Sequence, residues 1–238
     1  MSGLTSNVSV VLVHGAWADG SCWQNLISPL RKEGLAVTCA PIPLTSLSDD
    51  IAALERAVER TDGAVVLVGH AYGGAVIAGS KSDRVKGLVY VAALAPAEGE
   101  SVAEVFYRTA PHPMAPKLEP NAHGFIWMPQ GGFAAAVAHN ASSEQTTILD
   151  AVQRPIALRC IQEQAPVPAW KTKPSWYLLA EDDRMIAAET QRFMAGRMGA
   201  AIHSHQTDHS PMYTAPDAVV RIIVEGAKSA GTGSRYAG

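Results

Sequence analysis

The sequence predicts an α/β fold: a mostly parallel sheet of about six strands, helices on both faces, and a helical cap insertion late in the chain. Three observations predict it. Short β-branched apolar runs alternate with amphipathic stretches, as in successive βα units. The first of these runs is apolar almost throughout, as strands buried on both faces are. The rhythm then breaks after Ala95 and resumes at Ser175, and a length of 238 residues fits one such domain with a sizeable insertion.

Val8–His14 is too short for a helix and reads as the first strand. Trp23–Glu33 reads as a helix stopped by Gly34, a residue suited to the left-handed position past a helix end. Ala36–Ala40 is a second strand, ended by Pro41 and Pro43. Ser48 is placed to cap a helix over Asp49–Arg60, where Ile51, Leu54 and Val58 share a face and Asp49 and Asp50 favour the first turn. Ala64–Val68, Tyr72–Ser80 and Lys86–Val91 continue as strand, helix and strand, which implies right-handed parallel crossovers. From Pro96 to Pro174 helix-like pieces (Glu100–Arg108, Phe133–Asn140, Glu144–Gln153) occur with no convincing strand among them. Strand Ser175–Ala180, helix Ala188–Arg197, strand Ala201–Gln206 and helix Pro216–Ala227 complete the fold. The division expected is a core of residues 1–95 and 174–228, a cap of 96–173, and a Gly/Ser-rich tail of 229–238 that frays into disorder.

Composition excludes several classes of function. Hydrophobic residues make up 47% and charged residues 17%, so a disordered chain is ruled out. A net charge of −3 offers no basic field for nucleic acid or anionic lipid. Apolar runs are too short to span a bilayer, and Met1–Asn7 lacks the basic start of a signal peptide. Three cysteines without CxxC spacing are expected as reduced thiols, which points to a cytoplasmic protein.

The sharpest signal is Val65-Val-Leu-Val-Gly69-His-Ala71-Tyr-Gly73-Gly74, a strand passing through a Gly-flanked turn into a helix. A turn of this kind holds its central residue in a strained conformation above the strand ends, and needs no Cβ two residues to either side. A dinucleotide-phosphate turn would need G-x-G-x-x-G after the first strand and an acid closing the next. Here Ala71 stands at the middle glycine, the turn follows the third strand, and the next strand runs into Ala92-Ala93. Over nearly the whole chain the sequence resembles the α/β-hydrolase family, in particular small bacterial cap-bearing esterase-like hydrolases with a G-H-S-Y-G-G elbow. The resemblance implies hydrolysis of a small ester, thioester or lactone by a Ser–His–Asp site without a cofactor. This chain departs from the family at the nucleophile itself: Ala71 stands where the serine would be. A methyl group cannot attack a carbonyl, and loss of that hydroxyl costs such enzymes on the order of a million-fold, roughly 8–9 kcal/mol. The chain is then an engineered inactive variant, a naturally serine-less member using a His–Asp general base, or a ligand-binding pseudoenzyme.

The resemblance carries further residues. Trp176-Tyr-Leu-Leu-Ala180-Glu-Asp-Asp-Arg-Met-Ile186 matches the family's acid loop, giving Asp183, with Asp182 as the alternative register. Thr207-Asp-His-Ser-Pro211 matches the histidine loop, giving His209. The order nucleophile, acid, histidine is that of the family. His14-Gly15-Ala16-Trp17 resembles its oxyanion turn, so the Ala16 and Tyr72 amides are the expected donors. His14 is expected to be structural, and Ser21 and Cys22 are nearby hydroxyl and thiol groups that more naturally begin a helix.

A metal reading competes for the same loop. His203-Ser-His205-Gln-Thr-Asp208-His209 comes close to an H-x-H-x-D-H zinc run, but it is one residue too long and no histidine follows to complete a ligand set. No metal is therefore expected. The cap concentrates aromatic residues, with Phe106, Tyr107, Phe125, Trp127, Met128 and Phe133 in or beside them. Either they line a pocket for a small apolar organic substrate, with Trp17, Phe125 and Trp127 as candidate contacts, or they fasten the cap to the core. His112, His123 and His139 are expected in solvent.

Overall fold

The computed structural model describes residues 7–233. Its main sheet is six-stranded and wholly parallel, in the order β2-β1-β3-β4-β7-β8. The strands are β1 (Val8–Val13), β2 (Ala36–Cys39), β3 (Ala64–His70), β4 (Val85–Val91), β7 (Ser175–Ala180) and β8 (Ala201–His205). Side-chain alternation sorts each central strand between two apolar layers. Val11, Val13, Val65, Leu67 and Tyr177 join one layer, with α2 (Leu47–Glu59), α3 (Gly73–Ala78) and α7 (Ala188–Arg197). Val10, Leu12, Val66, Val68 and Leu178 join the other, with α1 (Gln24–Lys32) and α9 (Pro216–Gly233). The predicted fold class is therefore the observed one.

Several boundaries differ from expectation for local reasons. Trp23 closes a short 3-10 turn (Gly20–Trp23) capped by Asp19, and α1 begins after it. The cap of α2 is Ser46, whose hydroxyl accepts the Asp49 amide at 3.0 Å, rather than Ser48; the helix starts two residues earlier, with Leu47 buried in the core. Residues 229–233 continue α9 instead of fraying, and 234–238 lie outside the described residues.

The connection between β4 and β7 is helical in part: α4 (Val102–Phe106), α5 (Ser143–Val152) and α6 (Leu158–Gln162). It also holds a strand pair the sequence did not announce. β5 (Phe125–Ile126) and β6 (Ile156–Ala157) pair antiparallel, and two residues are too few to show a period. The helix expected over Phe133–Asn140 is a single wide turn, Phe133–Val137. α8 (Pro211–Thr214) lies between β8 and α9. No helix among the described residues is long and apolar enough to cross a membrane.

Candidate active site

The turn after β3 has the geometry its glycines require. A Cβ on Gly69 would stand 2.5 Å from the Gly73 carbonyl oxygen, and one on Gly73 2.5 Å from that of Val13, so strand, turn and helix cross only without side chains there. Ala71, at the apex, is in the left-handed region at φ 48°. Its carbonyl accepts the Gly74 and Leu94 amides at 3.1 and 2.9 Å, which holds the strained residue in place. The neighbouring Trp17 is also left-handed, at φ 59°.

Ala71 and His209 line one cavity of about 240 Å³, together with Ala16, Trp17 and Tyr72. His209 Nδ1 donates to Asp183 Oδ2 at 2.8 Å. The Asp183 carboxylate meets only donors: the Met185 and Ile186 amides at 2.7 and 2.9 Å on Oδ1, and Gln191 Nε2 at 2.8 Å on Oδ2. It is therefore an acceptor on every side, which selects the tautomer of the neutral imidazole with its hydrogen on Nδ1 and its lone pair on Nε2. Of the two candidate acids it is Asp183 that meets His209; Asp182 pairs with His139 at 3.0 Å. That pairing corrects the expectation for His139, whose side chain is only 4% exposed.

His70, just before the apex, donates from Nε2 to the His209 carbonyl at 2.7 Å, and the two rings lie 4.9 Å apart. Burial, helped by the neighbouring His209, pulls the His70 imidazole down to about 3. His14 donates from Nδ1 to the Gly15 carbonyl at 2.9 Å, and burial lowers it to about 4. Neither Ala16 nor Tyr72 uses its amide N–H on an acceptor among the described residues.

The remaining candidates fall outside the cavity. Phe125 and Trp127 do not line it: Ile126 between them does, and strand alternation turns its neighbours away, leaving Trp127 48% exposed. Trp17, Tyr72, Phe106 and Tyr107 are aromatic residues of its wall, and Trp17 Nε1 donates to the Ile126 carbonyl at 3.0 Å. Ser21 and Cys22 are not in the lining either; Ser21 Oγ is held by Asp19 at 2.6 Å, and burial pushes the Cys22 thiol well up. The histidine-rich run does not converge. His203 pairs with Glu225 at 3.2 Å, while buried Asp208 accepts from the Asn140 amide, the Ser210 amide and the Thr214 hydroxyl at 2.9, 3.1 and 2.7 Å. Among the described residues no three metal-ligating side chains group together. Sequence reasoning missed Gln191 and His70. Gln191 left no signal, since a glutamine eight residues past Asp183 on a helix resembles any other.

Comparison with known proteins adds an independent line. The profile of the alpha/beta hydrolase family matches residues 10–222. A carbendazim-hydrolysing esterase of Nocardioides sp. is 32% identical over 118 residues, which span 42% of this chain and only 48% of that protein. The alpha/beta hydrolase nvfD of Aspergillus novofumigatus is 27% identical over 241 residues, covering 90% of this chain and 94% of that one. The crystal structure of a pyrethroid hydrolase from Sphingobium faniae superposes with a TM-score of 0.80 at 22% identity, covering 92% of this chain and 97% of that one.

Proposed function

The chain belongs to the alpha/beta hydrolase family, and on that premise we propose that it binds a small apolar ester, thioester or lactone and hydrolyses it slowly and without a covalent intermediate. The substrate carbonyl lies against the Ala16 and Tyr72 amides, with residues 96–173 acting as a cap over it. His209 Nε2 takes a proton from water, and the resulting hydroxide adds to the carbonyl carbon. The oxyanion is held by the two amides until the C–O or C–S bond breaks and the leaving group takes the proton back from His209. Asp183 fixes the tautomer and stabilises the imidazolium that forms.

The observation that supports this reading is the 2.8 Å bond from His209 to Asp183 in a residue facing the same cavity as Ala71. A dyad with no nucleophile keeps general-base help of about 10²–10⁴-fold. The cavity supports an apolar ligand, because no Asp, Glu, Lys or Arg among the described residues stands in its lining. The Ala71 methyl favours one other reading, a binding protein that keeps the pocket and has lost the chemistry.

An activated aryl ester assayed against three proteins separates the readings. The unaltered chain is expected to turn over slowly, His209→Ala to lose that turnover, and Ala71→Ser to gain several orders of magnitude. Turnover that survives His209→Ala would sink the general-base reading. Ester binding without turnover in the unaltered chain would establish the binding protein.

A further inference from the structure

Asp50, in the first turn of α2, is a fully enclosed carboxylate with no basic side chain among the described residues hydrogen-bonded to it. Its Oδ1 accepts the Leu44 amide at 2.7 Å, and its Oδ2 accepts the Tyr72 hydroxyl at 2.6 Å with the Cys160 thiol at 3.7 Å. Burying a carboxylate is costly, and burial here pushes Asp50 up and the Cys160 thiol up to about 12. Of the three donors Tyr72, which follows the apex, lines the cavity, while Leu44 and Cys160 adjoin segments that do. Leu44 is held left-handed at φ 62°, and its carbonyl accepts the Ala157 amide of β6 at 3.0 Å. Cys160 sits on α6 between Leu158 and Ile161, both in the lining. The Tyr72 hydroxyl meets Asp50 with the Cys160 thiol beside it, and α3 has no side-chain cap, so this cluster is what tethers Tyr72 through its side chain.

We propose that Asp50 is a positioning residue: through Tyr72 it aims the oxyanion amide, and through Leu44 and Cys160 it sets the β6–α6 wall above it. The inference rests on the reading of the Ala16 and Tyr72 amides as the carbonyl-binding pair. The test is run in the Ala71→Ser protein, where an activated aryl ester reports turnover. Phenylboronic acid, which becomes a tetrahedral anion on the restored serine, reports on the amides. Benzyl alcohol, neutral and apolar, reports on the cavity alone.

Asp50→Ala is expected to lower kcat and weaken boronate binding by ~10-fold or more, with KM and benzyl alcohol affinity changed less than ~3-fold. Asp50→Asn, which can still join both Leu44 and Tyr72, recovers most of kcat. Tyr72→Phe cuts the tether while keeping the carboxylate, and reproduces the kcat loss if Asp50→Ala does not fold. Equal weakening of boronate and benzyl alcohol, or unchanged kcat in a folded Asp50→Ala or in Tyr72→Phe, overturns the proposal. An Ala71→Ser protein that neither cleaves the ester nor binds the boronate overturns the carbonyl-binding pair itself, and Asp50's role with it.

Discussion

Gln191 closes the set of donors around Asp183. Its Nε2 also reaches the Ile186 carbonyl at 2.8 Å, while its Oε1 accepts the Ala180 amide at 3.1 Å. One side chain thereby ties the end of β7 to the acid loop. Gln191→Leu removes a donor from a buried carboxylate and strands a buried amide, so stability should fall by about 1–3 kcal/mol in urea unfolding. In the Ala71→Ser background turnover should fall with it; an unchanged urea midpoint would show that Asp183 does not need this donor. At this scale legibility followed distance along the chain. The glycines flanking Ala71 are a local steric demand, and a sequence states such demands directly. The meeting of Asp183 with His209 was inferred from order along the chain and family resemblance. Gln191, His70 and Asp50 act on partners 8, 139 and 22 positions away through ordinary polar groups. Even for His70, inside the elbow, and Asp50, in a first helical turn, the local pattern does not show which distant group each one meets.

One stretch of the β4–β7 connection is fastened to both loops that carry the dyad. Arg184 donates to the Ala135 carbonyl at 3.1 Å, His139 meets Asp182 at 3.0 Å, and the Asn140 amide donates to Asp208 at 2.9 Å. These fastenings sit on either side of Asp183 and directly before His209. Asp208→Ala leaves the Asn140 and Ser210 amides without their acceptor and takes one partner from the Thr214 hydroxyl, which keeps Thr207 and the Ser210 carbonyl. We expect a loss of about 2–4 kcal/mol in denaturant unfolding, with limited proteolysis entering the 133–142 stretch more readily. Unaltered cleavage there would mean that the stretch holds without Asp208. Helices with a 3.6-residue apolar stripe were legible, α2 among them. The wide turn at Phe133–Val137 and the strands β5 and β6 were not, because elements this short are formed by their neighbours and not by their own pattern.

For the molecule as a whole the parallel sheet was legible, since its central strands are buried on both faces and read as apolar runs too short for helices. The two layers enclose groups that would prefer to be charged. His14 and His70 are held near 4 and 3 against an ordinary 6.5. A histidine with a lowered folded value binds its proton more readily in the unfolded chain, so its contribution is complete above about pH 6.5 and is lost as pH falls toward 3. The urea midpoint should therefore drop between pH 7.5 and pH 5, and His70→Gln should flatten that slope. A midpoint independent of pH over this range would contradict the neutral, buried state of both rings.

The lack of Lys and Arg among the described residues lining the cavity has a consequence for turnover. Ester cleavage would convert a neutral guest into a carboxylate, and that anion would find no permanent cation inside to replace its lost hydration. Ionisation would then drive the acid product out, so product inhibition should be weak above the acid's own pKa and grow in solutions acidic enough to keep it neutral.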